Sequence, residues 1–220
     1  MIAAHDEALE GVNSQDPGVP FVVVEGDLSK ARWAVGVDQV AGARLATRHL
    51  IELGHTEILH VTGPMNRTEA RARQDGWRSE MLAAGLRPVQ SLSGDWTAGS
   101  GFAVGAQIVA REDVTAVFAA NDQMALGILR ALCEAGLRVP QDVSVVGFDD
   151  IPEAAYLIPP LTTIRQDFPA VGRRAIEVLQ AAITQRTEAL PRLIDPDLVL
   201  RFSTAPPRRT RTPRTGRAAQ

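Results

Sequence analysis

The stretch from residue 114 to 150, VTAVFAANDQMALGILRALCEAGLRVPQDVSVVGFDD, constrains the fold more than any other part of the chain. Residues 114–120 are apolar and partly β-branched, which suits a strand buried on both faces. Asn121-Asp122 then offers a short polar helix cap. Met124, Ala125, Ile128, Leu129 and Leu132 follow at helical spacing, and Gly136 stands where a helix end needs a left-handed residue. Pro140, Gln141 and Asp142 make a turn, and 143–147 reads as the next buried strand. A helix joining two such strands forces a parallel, right-handed βαβ unit.

That geometry makes the polar residues informative. Asn121-Asp122 and Asp149-Asp150 each follow a strand, so both pairs lie at the carboxyl edge of a parallel sheet, where open α/β sheets bind ligands. An amide and a carboxylate at neighbouring strand ends can hydrogen-bond a small polyol. Simple helix capping accounts equally well for Asn121 or Asp122 alone, and a loop turn for the aspartate pair. Two pairs on one edge favour a site.

The rest of the chain continues the alternation. Strands are expected at 19–24, Ala34–Val37, 58–62, 88–92 and Thr162–Arg165. Two short strands are expected within 192–202, broken at Pro196. Helices are expected at 3–10, 39–53 behind an Asp38 cap, 68–84, 100–110 and from Pro169 to Ile183. Most of the helices end at a glycine. Strands alternating with helices specify a doubly wound α/β fold.

Three further residues carry chemistry. Glu69 and Arg73 are spaced i, i+4 in the first turns of a helix that follows a strand end, so they share a face. They form either a surface ion pair or a ligand contact. Trp96 lies in the polar turn Gly94-Asp95-Trp96, where its ring either packs or stacks on the apolar face of a sugar or base.

Composition excludes several classes. The net charge of −3 over 220 residues is not that of a nucleic-acid-binding protein. The four histidines show no metal-ligand spacing, and no cofactor is expected. Cys133, on the apolar helix, is expected to be a buried structural thiol with no disulfide partner. No apolar run approaches the roughly 18 residues of a membrane span. The first residues lack the basic start of a signal peptide, so a reducing cytoplasm is the default. Residues 205–220 are basic and Pro-rich and are expected to be disordered. No nucleophile–base pair, metal cluster or phosphate loop supports an enzyme.

Taken in order, LATRHLIELGHTEILHVTGP, EARARQDGW, GDW, FAANDQMALGILRALCEAGLRVPQDVSVVGFDD and PPLTTIRQDF resemble the LacI/GalR transcription regulators. The resemblance covers residues 19–204. It implies a periplasmic-binding-protein-like core of two doubly wound, parallel-sheet subdomains, the N-terminal one incomplete here. Lobe one would comprise 1–36 and 168–195, and lobe two 38–165 and 196–204. An effector, a sugar or sugar derivative, would sit between them. By position, Glu25, Glu69, Arg73, Trp96, Asn121, Asp149 and Gln166 would contact it, with Phe168 as an apolar wall. Glu25 and Glu69 replace an aspartate and a serine of a galactoside-binding member, which points away from a simple galactoside.

The family's helix-turn-helix headpiece is not found ahead of residue 19, so operator DNA would be reached only through a headpiece missing from this chain. The tail has no heptads, so a homodimer is the largest assembly expected, with helix 122–135 a candidate interface. A solute-binding protein for sugar uptake shares the fold and is the alternative reading.

Overall fold

The computed structural model describes residues 2–3, 19–184 and 192–208. Among the described residues, two sheets divide the strands. The first has four parallel strands in the order β1 (Ile2–Ala3), β2 (Val23–Val24), β3 (Ala34–Val37) and β9 (Leu193–Ile194). The second has six, in the order β10 (Asp197–Val199), β8 (Thr162–Arg165), β7 (Ser144–Asp149), β6 (Ala116–Ala119), β4 (Ile58–Thr62) and β5 (Leu92–Ser93). All its neighbours are parallel except β10, which runs antiparallel to β8.

Helices cover both faces of the larger sheet, as a parallel sheet buried on both sides requires. On one face lie α1 (Gln39–Glu52) and α2 (Thr68–Ala83), whose Ala43, Leu50, Trp77 and Met81 pack on Ile58, Phe118 and Phe148. On the other lie α3 (Ala98–Val109) and α4 (Asp122–Glu134), with Val104, Ile108, Ile128 and Leu132 against Leu59, Val117 and Val145. The α3–α4 contact is close enough to need glycine: a Cβ on Gly127 would stand 2.0 Å from the Ala98 carbonyl oxygen. α5 (Phe168–Ile183) covers the smaller sheet, placing Val171, Ala175 and Val178 on Val22, Val35 and Val37.

Helix starts follow the sequence. Asp38, Asn121 and Asp167 each accept a hydrogen bond from the backbone N–H three residues on, at 2.8, 2.9 and 2.8 Å. The helices at 39–52, 68–83 and 168–183 and the strands at 34–37, 58–62 and 162–165 match the expected ones within a residue. Several expectations need correction. The 19–24 strand shrinks to Val23–Val24, the two residues that find partners on β1 and β3. The 88–92 strand shrinks to Leu92–Ser93, because β5 meets only the end of β4, at Val61 and Thr62. Asn121, not Asp122, is the cap of α4; Asp122 is a fully buried helix residue. Cys133 is exposed rather than buried, since the apolar face of α4 passes through Leu129 and Leu132 instead. The helix expected at 3–10 lies outside the described residues except for Ala3, which is in β1. Residues 205–208 of the tail are described and belong to no helix or strand; the rest lies outside.

Candidate functional site

Parallel pairing puts the carboxyl ends of β4, β5, β6, β7 and β8 on one edge of the larger sheet. Arg73, one turn into α2 and 5% exposed, lies at the centre of that edge. Its Nε donates to Gln39 Oε1 at 2.8 Å, and an Nη donates to the Ala120 carbonyl at the end of β6. The other Nη stands 3.5 Å from Asp149 Oδ1 at the end of β7. The guanidinium carbon lies 3.8 Å from the Phe148 ring centroid and 5.6 Å from that of Trp96.

These contacts close a ring. Gln166 Nε2 donates to Asp149 Oδ1 at 2.7 Å, and Gln39 Nε2 donates to Gln166 Oε1 at 2.8 Å. Gln39, Gln166, Asp149 and Arg73 thus hold one another through four polar contacts. Glu25, at the end of β2 on the smaller sheet, joins from outside the ring. Its Oε1 accepts from the Val37 N–H at 3.1 Å, and its Oε2 lies 3.5 Å from Gln39 Nε2. The network therefore crosses from one sheet to the other where the chain itself crosses, at Val37–Gln39 and at Gln166.

Asn121 caps α4 through its oxygen and donates its amide N–H to the Trp96 carbonyl at 3.0 Å, so it also anchors the loop that carries the indole. The Trp96 ring covers Gly63, where an added Cβ would stand 2.2 Å from it. Trp96 both packs and keeps part of its surface open. Glu69, a turn before Arg73, is half-buried and electrostatically coupled to both Glu25 and Arg73. Phe168, 52% exposed, lines an open cavity of about 630 Å³ together with Asp149, Asp150, Arg165 and Gln166.

Burial raises the carboxyls of Glu25 and Asp149. The Val37 N–H, Arg73 and Gln39 offset this in part for Glu25, and Arg73 and Gln166 for Asp149, while Glu69 pushes Glu25 further up. Burial pulls Arg73 down, and Asp149, Glu69, Glu25 and Asp122 act against that. The backbone is strained at the same place. The described non-glycine residues with φ in the left-handed region are Glu25 (63°), Trp96 (76°), Asp149 (116°) and Asp150 (53°). Each lies at or just after the end of a strand, and three are candidate contacts. Conformations costing about 1–3 kcal/mol persist where the surroundings over-determine them and cluster at ligand sites.

The structure thus brings six of the seven candidates into one network or its immediate rim: Glu25, Arg73, Trp96, Asn121, Asp149 and Gln166, with Glu69 coupled by charge. It adds Gln39, the hub, which sequence reading treats as the first residue of a helix. The available signal was a polar side chain directly after a buried strand and its Asp38 cap. Asp122 and Asp150 prove to be supports. Asp122 accepts from Thr163 Oγ1 at 2.6 Å and from the Ile151 N–H at 3.0 Å. Asp150 is clasped by Arg165 and Arg201 at 2.7 and 2.6 Å.

Two α/β units joined at crossing segments, with polar side chains from both meeting at the carboxyl ends of parallel strands, define a periplasmic-binding-protein-like core. The chain belongs to the periplasmic binding protein-like domain family, whose model matches residues 47–204, and within it carries a core of the LacI type. It is 42% identical over 176 residues to the lactose operon repressor of Escherichia coli K12, covering 79% of this chain and 49% of that protein. It is 43% identical over 159 residues to the ribose operon repressor of the same organism, covering 71% and 48%. The dimeric Lac repressor with an 11-residue C-terminal deletion superposes with a TM-score of 0.85 at 35% identity, over 93% of this chain and 76% of that one. A complex of the transcriptional regulator CelR with cellobiose gives 0.77 at 38%, over 84% and 59%. The chain spans about half the length of the curated relatives it matches. Among the described residues no helix is long and apolar enough to cross a membrane.

Proposed function

We propose that this chain is the ligand-binding regulatory core of a LacI-type transcriptional repressor. A small effector, a sugar or sugar-like polyol, binds between lobe one (1–36 and 168–195) and lobe two (38–165 and 196–204). The observation that carries this is the polar network linking Glu25 of the smaller sheet to Gln39, Arg73, Asp149 and Gln166 of the larger one. A ligand bonded to groups of both sheets favours the lobe arrangement that brings those groups to it. Ligand binding then selects one lobe arrangement, which is allosteric coupling in the strict sense. Guanidinium, amide and carboxylate groups bind vicinal hydroxyls in pairs, and the Trp96 face covers the apolar side of the sugar ring. Glu69, Asn121 and Phe168 complete the contacts.

The coupling is read out on operator DNA through a helix-turn-helix headpiece carried in the same regulator, in the cytoplasm. The relatives' names as repressors favour this over sugar uptake, and nothing in the site calls for turnover. The core works as a homodimer. α4 turns Leu126 to solvent, and the segment after β7 exposes Tyr156 and Ile158 at 85% and 95%. The dimer face is placed on this side of the molecule, where two copies would cover these side chains together.

Calorimetric titration of the purified, folded chain against a panel of mono- and disaccharides tests the reading. Saturable binding by at least one sugar, lost in Arg73→Ala, is expected. No heat from any sugar, neutral or derivatised, would overturn it.

A further inference from the structure

Resting on that reading, we infer that Gln39 is the positioning residue of the ligand site, the amide that aligns Arg73 with Gln166 and links both to Glu25 of the smaller sheet. The starting point is Arg73, whose guanidinium carries N–H donors and no acceptor. Its Nε donates to Gln39 Oε1 at 2.8 Å, so the Gln39 oxygen must face α2. Gln39 Nε2 is then the atom left to meet Gln166, and it donates to Oε1 at 2.8 Å. That fixes Gln166 in turn, whose Nε2 donates to Asp149 Oδ1 at 2.7 Å. An Nη of Arg73 stands 3.5 Å from the same oxygen, where the circuit closes.

Every bond in the circuit thus runs from Arg73 to Asp149, through two amides on one side and directly on the other. Turning either amide would set oxygen against oxygen and nitrogen against nitrogen. Gln39, Arg73 and Gln166 are all buried, so water does not repair such a mismatch cheaply. The same direction decides what the other lobe meets. Gln39 Nε2 lies 3.5 Å from Glu25 Oε2 and shows it a donor, whereas a turned amide would show it an oxygen. Gln39 opens α1 directly after the crossing at Val37-Asp38, and Gln166 follows β8 at the return crossing. One pair of amides therefore ties both crossing segments to Arg73 and Asp149. The circuit itself leaves Asp149 Oδ2 as an acceptor and the remaining Nη N–H groups of Arg73 as donors, the complement of two neighbouring hydroxyls.

The test separates hydrogen-bond direction from bulk. Gln39→Met keeps the length of the side chain and removes both polar ends, so the sugar that binds the parent chain should bind about tenfold more weakly. Gln39→Glu still accepts from Arg73 but, ionised, cannot donate to Gln166. At about pH 7.5 it should lower the folding equilibrium constant about tenfold, read by urea unfolding. Exchanging the partners repairs the circuit. In an Asp149→Asn background the acid stands at 39 and a donor at 149, and the bonds run the other way through Gln166. There Gln39→Glu should cost about twofold or less. Asp149→Asn serves the unfolding comparison alone, since Asp149 is itself a ligand contact. The tenfold cost in the parent should persist at about 0.5 M salt, which screens plain charge repulsion. Parent-like sugar affinity in Gln39→Met, or an equal cost of Gln39→Glu in both backgrounds, would overturn the inference and leave the sugar-binding reading standing. A cost that vanishes in salt would reduce it to repulsion and overturn it too. Absence of binding by every sugar would overturn the functional reading and the positioning role together.

Discussion

Asp149 and Asp150 are adjacent, leave the same strand and both adopt positive φ, yet they do opposite things. Burial alone would raise both carboxyls. At Asp150 the hydrogen bonds and charges of Arg201 and Arg165 outweigh burial and hold it below the usual carboxylate range. At Asp149, Arg73 and Gln166 only moderate the rise. The outward cluster is an acid with two arginines, neutralised and tying β7, β8 and the segment after β10 together. The inward cluster has several acids around one arginine, with side chains bonded mainly to each other. A finished ion pair is structure. A polar network with charge left over, on strained backbone, is a place made for something else.

The largest effect that separates the two clusters is expected at Arg73. Arg73→Ala strips Gln39 Oε1, the Ala120 carbonyl and Asp149 of their donor in a buried place. It should cost about 2–4 kcal/mol of stability, read by urea unfolding, and abolish sugar binding. Arg73→Lys keeps the charge but not the fork that reaches three acceptors, so it should recover only part of either. At the outward cluster, Arg165→Ala should cost about 1 kcal/mol or less, because Arg165 is half exposed and Arg201 still serves Asp150. Ligand affinity should stay within about twofold of the parent. Equal losses from Arg73→Ala and Arg165→Ala would erase the distinction between site and support.

Asp122 makes the comparison a matter of pH. Burial pushes its carboxyl up to about 7, against the pull of Thr163 and the Ile151 N–H, with Asp149 and Asp150 adding to the rise. Unfolded, the same group ionises near pH 4. Between those values the folded chain holds more protons than the unfolded one, so stability falls as pH rises through about 4 to 7 and levels off above. The group's share of that fall is on the order of 4 kcal/mol. Glu25 and Asp149 contribute in the same direction, and Asp150 in the opposite one. Asp122→Asn should flatten the slope over this window by close to one proton, measured by unfolding at a series of pH values. An unchanged slope would mean that Asp122 is ionised in the folded protein.

The fold was largely legible because its signals are local and redundant. In α4, capping by Asn121, apolar spacing and Gly136 all agree, and a buried βαβ unit leaves little topological choice. The losses came where pairing decides. Nothing between residues 88 and 91 shows that β4 will offer β5 only Val61 and Thr62 as partners. The site was legible as positions rather than as a mechanism. Strand ends picked out Asn121 and Asp149 from pattern alone, and the family resemblance supplied Glu25 and Gln166. Gln39 escaped because its role depends on Glu25, Arg73 and Gln166, which lie up to 127 residues away in sequence. The opposite fates of Asp149 and Asp150 escaped for the same reason: the arginine that decides for Asp150, Arg201, lies 51 residues further on.

The smallest expected effect uses the helix that carries both kinds of site. Arg73 reaches the site from the start of α2, and Glu80, two turns later on the same side of the helix, accepts from Arg44 Nε at 2.8 Å and Arg48 Nε at 2.6 Å on α1. Hydrogen bonds from Arg48, then Arg44, keep the Glu80 carboxyl below its usual range despite some burial. Its contribution is therefore present above about pH 4 and lost as pH falls through the depressed value. Arg48→Ala leaves Arg44 on the carboxylate, and both arginines are nearly half exposed, so the loss should be about 0.5 kcal/mol. That loss should shrink in high salt and disappear once the pH has fallen through the depressed value, while sugar affinity stays unchanged. A shift in ligand affinity from Arg48→Ala would mean that α2 transmits strain along its length to Arg73, and its two ends would then have to be treated as one coupled element.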